Sequence, residues 1–170
     1  MSYEDIKVVW VFGLSAAGKK TFIYDLCNPN TDITPYKEFL GDDFYRKVKI
    51  PIVIPTRELN EDRLDIIKKV LSIDVKDSIF LVHGQGVDIS RGILDSLNSI
   101  NNNIVKECIY LKIDKKRYVR NIKERNKRVD GILYKDTLCA KIKQKGLDKL
   151  HESFLDRLGN HFDDITIIDL

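Results

Sequence analysis

The stretch Gly13-Leu14-Ser15-Ala16-Ala17-Gly18-Lys19-Lys20-Thr21 sets two glycines and a lysine at the spacing GxxxxGK. Glycines at both ends let the backbone curl until successive N–H groups point inward. A helix opening at the lysine adds the positive end of its dipole, and together these cradle a phosphate. Lys19 would reach the outer phosphates of a nucleotide. By composition the spacing arises by accident in about one chain of this length in twenty, so its context decides. It follows the apolar run KVVWVF (7–12) and leads into KKTFIYDLC, which reads as a helix; strand, loop and helix come in the order phosphate binding requires. The position after Lys19 ordinarily supplies a hydroxyl to Mg²⁺, but here it is Lys20, whose ammonium a dication would repel. The loop is a site with a displaced hydroxyl, a damaged site or a coincidence, and the context disfavours the last.

Such a loop needs a rigid floor, and the hydrophobic pattern supplies one. Apolar runs bounded by polar residues recur at 78–83, 107–113 and 164–169 and read as buried strands. A fifth, KIPIVIP (49–55), carries Pro51 and Pro55, which argue for an edge strand or a short one. Between them lie segments of helical period: 59–72 (Leu64, Ile67, Val70, Leu71), 88–100 (Ile89, Ile93, Leu97, Ile100) and 134–158 (Leu138, Ile142, Leu150, Phe154, Leu158), the last ending before Gly159-Asn160. Strands that alternate with helices and are apolar throughout predict an α/β fold. The expected form is a three-layer α/β/α sandwich around about five mostly parallel strands. Ligands of such sheets bind at the carboxyl ends of the strands.

The chain has 170 residues, enough for one domain, 1–170, burying roughly 70% of its unfolded surface. Three cysteines, Cys27, Cys108 and Cys139, match no metal or redox spacing and read as reduced thiols in a cytoplasmic protein. The acidic start MSYEDIKVVW lacks the basic and apolar regions of a signal peptide, and no run of 18 apolar residues occurs, so no membrane partner is expected. Net charge is only +3, yet residues 114–128, DKKRYVRNIKERNKR, hold eight basic side chains against two acidic ones.

The residues GLSAAGKKT resemble the phosphate loop of adenylate-kinase-like nucleoside, nucleotide and polynucleotide kinases, many of which carry GK-x-Thr. The resemblance implies a P-loop NTPase type of sheet, ATP on residues 13–21, and Thr21 as the hydroxyl for Mg²⁺. It also implies an acceptor-binding excursion over about 28–58 and a basic lid region over about 114–132. Many of these kinases end their third-quarter strand on an aspartate; His83 stands there instead. Asp88, in HGQGVDISRG (83–92), is then the candidate to hold the metal or accept a hydroxyl proton, with helix N-cap as its alternative. Gly84 and Gly86 would let this loop approach a ligand closely, and Gln85 and Arg91 could read it. Arg120, Arg125 and Arg128 match the lid's recurring arginines, although Arg120 and Arg125 are five apart rather than four. Guanidinium groups near a transferring phosphate suit phosphoryl transfer. A solvated helix face and a nucleic-acid contact surface are the alternatives for this segment.

In the excursion Tyr36, Arg46 and Arg57, with Phe44 and Tyr45, are candidates to hold an acceptor base, with packing as the plainer role for the aromatics. His151 and His161 have no assignable partner and read as surface or satisfied residues. The reading implied is a kinase moving the γ-phosphate of ATP, with Mg²⁺, to a nucleoside, a nucleotide or a nucleic acid. A hydroxymethylated DNA base is among the acceptors, as in similar phage kinases; in a duplex it would have to be extruded. An NTP-binding regulatory switch without transfer and a nucleic-acid-binding accessory protein are the rivals.

Overall fold

The computed structural model describes residues 7–14, 17–36, 38–40, 44, 47–53, 65–66, 68–69, 78–84, 105–128, 146–159, 161–162 and 164–170. Five strands, β1 (Lys7–Gly13), β2 (Val48–Ile52), β3 (Ser78–His83), β4 (Val105–Lys112) and β5 (Asp164–Asp169), form one sheet in the order β2-β3-β1-β4-β5. Every pairing is parallel. Among the described residues three helices have full bounds, α1 (Lys19–Cys27), α2 (Lys115–Arg128) and α3 (Leu147–Leu158), and residues 38–40 and 44 are also helical. The proline-bearing run is the edge strand β2, with Pro51 exposed. Residues 65–66 and 68–69 are helical, whereas the periodic segment 88–100 and the first part of 134–158 lie outside the described residues.

The pleat of β1 sorts its side chains between the two faces of the sheet. Val9 and Val11 pack with Phe22, Ile23 and Leu26 of α1, together with Ile79, Leu81, Ile109 and Leu111. Val8, Trp10 and Phe12 pack with Phe154 and Leu158 of α3, together with Phe80, Val82, Cys108 and Tyr110. The sheet is therefore covered on both faces, and each fully buried Leu, Ile or Phe contributes about 2 kcal/mol of transfer free energy. A lone ion pair, Lys7 Nζ to Glu107 at 2.8 Å, ties β1 to β4 among the described residues.

Local chemistry explains the helix limits. Asp114 caps α2: its Oδ1 accepts from the Arg117 amide at 2.7 Å. In α3, Asp148 sits in the first turn and Arg157 in the last, each sign favourable to the dipole. Gly159, at φ 51°, ends α3 with its N–H directed to the Leu155 carbonyl. No helix among the described residues is long and apolar enough to cross a membrane.

From β1 the chain moves to the β2 side, whereas from β3 it passes over β1 to β4. The central strand β1 is thus the point where connections diverge, the place beyond whose carboxyl end such sheets bind their ligands. The loop after Gly13 occupies that point.

Candidate functional site

β1 ends at Gly13, and the chain turns at once: the Ala17 amide donates to the Leu14 carbonyl at 3.0 Å. Gly18 then adopts φ 87°, ψ 25°, the left-handed region, which costs an L-residue about 1 kcal/mol and glycine nothing. With Gly18 as its first flanking residue, α1 starts without a side-chain cap and with no acidic residue in its first turn, which leaves the positive end of its dipole without a counter-charge there. Lys19, half-buried, folds back over the loop, donating from Nζ to the Gly13 carbonyl at 3.0 Å and reaching the Leu14 carbonyl at 3.4 Å. Lys20 and Thr21 are exposed in the same first turn, so the ammonium of Lys20 has solvent available to it. Ser15 and Ala16 lie outside the described residues.

Two walls flank the loop. On one side Gly84, directly after β3, donates its N–H to the Val11 carbonyl at 2.9 Å. A Cβ on Gly84 would stand 2.6 Å from Phe12 Cδ1, so this glycine serves close approach of two strand ends. His83 ends β3 as expected; Gln85, Asp88 and Arg91 lie outside the described residues. On the other side Ala17 packs with Ile113, Tyr118, Ile122 and Leu147, which fastens α2 to the loop by its inner face. Arg120 is exposed; two residues from both Tyr118 and Ile122, it lies on the face turned away from Ala17. The side chains of Arg125 and Arg128 lie outside the described residues, although their backbone completes α2.

The acceptor candidates divide in the same way. Tyr36 sets its ring edge-on to Phe22 of α1, centroids 5.1 Å apart, and Phe44 is buried in the same cluster; both pack under α1. Lys49 holds its ammonium 5.6 Å over the Phe44 ring and donates to the Phe44 carbonyl at 3.1 Å. Arg46, Arg57 and Tyr45 lie outside the described residues. Burial pushes the Cys27 thiol up to about 11, against the pull of the nearby Lys49 ammonium, which keeps it protonated and inert.

The histidine of α3 has a role that no local signal announces. His151 is buried; its Nε2 donates to the Ile113 carbonyl at 2.9 Å, so Nδ1 is the acceptor for the Tyr110 hydroxyl at 2.6 Å. It borders an open cleft of about 520 Å³ at the carboxyl ends of β4 and β5, lined also by Lys112, Asp114, Lys115, Asp148 and Asp169. The cleft shares Ile113 and Leu147 with the cluster that holds Ala17, although no residue of the loop itself lines it.

Burial holds the His151 imidazole below the ordinary histidine range, with the Ile113 hydrogen bond opposing. A lowered folded value means the unfolded chain takes the proton first, so stability is whole above about pH 6.5 and falls as pH drops below it towards the folded value. Melting temperature should therefore fall more between pH 7 and 5 for the native chain than for His151→Gln. Parallel pH curves for the two would remove His151 from this account.

No family model matches the chain, and no curated protein matches it. Among solved structures, an uncharacterized protein from Eubacterium ventriosum ATCC 27560 aligns over 97% of this chain and 89% of its own, at 13% identity and a TM-score of 0.44.

Proposed function

We propose that this chain is an ATP-dependent phosphotransferase of the P-loop kinase type, its acceptor a nucleoside, a nucleotide or a nucleic acid. One observation carries the reading: at the carboxyl end of the central strand a tight turn, a left-handed Gly18 and an uncapped helix converge with the Lys19 ammonium. Backbone amides and an ammonium with no carboxylate among the described members of the loop suit a polyphosphate.

In this reading the amides at the start of α1 orient the phosphates. The Lys19 ammonium exchanges the Gly13 and Leu14 carbonyls for outer phosphate oxygens, a replacement of two neutral acceptors by a charged one. Leu14 and Ala17, packed against their clusters, keep the loop's floor apolar and its electrostatics strong. The acceptor hydroxyl attacks the γ-phosphorus, the bond to the bridging oxygen breaks, ADP leaves, and the hydroxyl proton passes to a carboxylate, for which Asp88 is the candidate. Mg²⁺ in such a site would be held through phosphate and water oxygens plus one or two protein oxygens. Thr21 and Asp88 would supply those, and the ion, when bound, neutralises charge on the transferred group.

Incubation with γ-labelled ATP and Mg²⁺ should move label to a nucleoside, nucleotide, oligonucleotide or hydroxymethylated DNA. Absence of transfer to all of them under several divalent metals would sink the reading. Thr21→Ala should raise the Mg²⁺ concentration for half-maximal turnover about tenfold; an unchanged requirement would show that the displaced hydroxyl is not a ligand.

A further inference from the structure

The outer face of α2 is rich in exposed basic side chains. Lys116, Arg120 and Lys123 follow one another at helical spacing of four and three, which places them within a narrow stripe. All three are exposed, as are Lys115 and Arg117 beside them. Among the described residues none of these five side chains has an acidic partner: the ion pair there is Lys7 with Glu107, on the sheet. The opposite side, Tyr118 and Ile122, is consumed by packing on Ala17, Ile113 and Leu147, so the stripe is held on a rigid element and turned outward.

We propose that this stripe docks the phosphodiester backbone of a single-stranded nucleic acid. From Lys116 to Lys123 the helix rises about 10 Å, a row of three cations along which a flexible phosphodiester strand can lay its charges. With a net charge of only +3 for the whole chain, attraction to a polyanion is concentrated at this face. A membrane surface is the poorer match, because the stripe has no exposed apolar side chain to insert among its lysines and arginine. Docking here stands apart from phosphoryl transfer: a strand held by α2 is a partner whether or not it is also the acceptor.

The test is anisotropy of a fluorescein-labelled 20-nucleotide single-stranded DNA, without ATP, titrated with the full chain at several salt concentrations. Neutralising three phosphates contributes about 2 to the slope of log affinity against log salt. The triple variant Lys116→Glu/Arg120→Glu/Lys123→Glu should therefore bind at least tenfold more weakly and show a slope shallower by about 2. Lys116→Gln/Arg120→Gln/Lys123→Gln should do the same to a lesser extent and guards against misfolding of the reversed-charge chain. Lys68→Glu/Lys149→Glu, exposed but off the stripe, should change affinity less than threefold. No binding by the native chain at 50 mM salt, unaltered binding by both triple variants, or equal binding of a polyglutamate of matched charge would each overturn the proposal. Label transfer from ATP to free nucleosides is assayed in parallel, so failure of docking and failure of the kinase reading are read separately.

Discussion

Under the proposed kinase reading, Lys19→Ala should lower kcat/KM for phosphoryl transfer by two orders of magnitude or more, on the order of 3 kcal/mol of transition-state stabilisation, as loss of a preorganised charged donor does. The loss falls on chemistry because charge accumulates on the outer phosphates as transfer proceeds, and the ammonium is fixed by its own helix at the loop. The fold should survive. Lys19 donates to two backbone carbonyls from a half-buried position, contacts that water can replace, so the loss is about 1–3 kcal/mol. Steady-state kinetics beside a thermal melt separates the two effects. Turnover retained in the folded variant would mean that the phosphates sit elsewhere.

Gly84→Ala should cost about 2–3 kcal/mol of stability, the upper part of the range for overpacking. Its Cβ would meet Phe12 Cδ1 at 2.6 Å, Phe12 Cε1 at 2.7 Å and the Val11 carbonyl oxygen at 2.9 Å. The Phe12 ring has nowhere to retreat, since it is wedged between Phe154 and Phe162 at centroid distances of 5.9 and 5.6 Å. Phe12→Leu shortens the obstacle, so the double variant should be more stable than the sum of the single losses by at least about 1 kcal/mol. Urea unfolding with an unchanged slope measures this. Strict additivity would show that the strand ends relax apart instead.

What the sequence discloses about this fold depends on whether a signal is local. The bounds of β3 and β5 coincide with apolar runs cut off by polar residues, and α1 starts at the glycine-lysine step and stops at Asn28. The start of β4 is less visible: it extends back to Val105 because Lys7 pairs with it across the sheet, and a partner so distant leaves no mark in the neighbouring residues. The same holds at the site. The phosphate-type loop is legible because its backbone needs are written in glycines and a lysine at fixed spacing. Gly84 was open to reading as a ligand contact, since the constraint that packing places on it, Phe12, belongs to another strand. His151 was silent because its hydroxyl partner, Tyr110, is 41 residues away. Two signals were present and readable: Asp114 directly before a helix announces a cap, and the pair Tyr118 and Ile122, four apart in an otherwise charged helix, marks which side of α2 turns inward.

The strand order also dictates a sequence of events in time. Lys7 to Val11 find their hydrogen-bonding neighbours in Ile79 to His83 on one flank and from Val105 onward on the other, and the described residues between α1 and β3 supply neither. On the ribosome, β1 therefore emerges early as an apolar segment with both of its edges vacant, and must wait through β2 and β3 before either is filled. Such long-range closure is slow and exposes the nascent chain to aggregation and chaperone capture. The loop that the chain writes first is in consequence among the last places to acquire its shape.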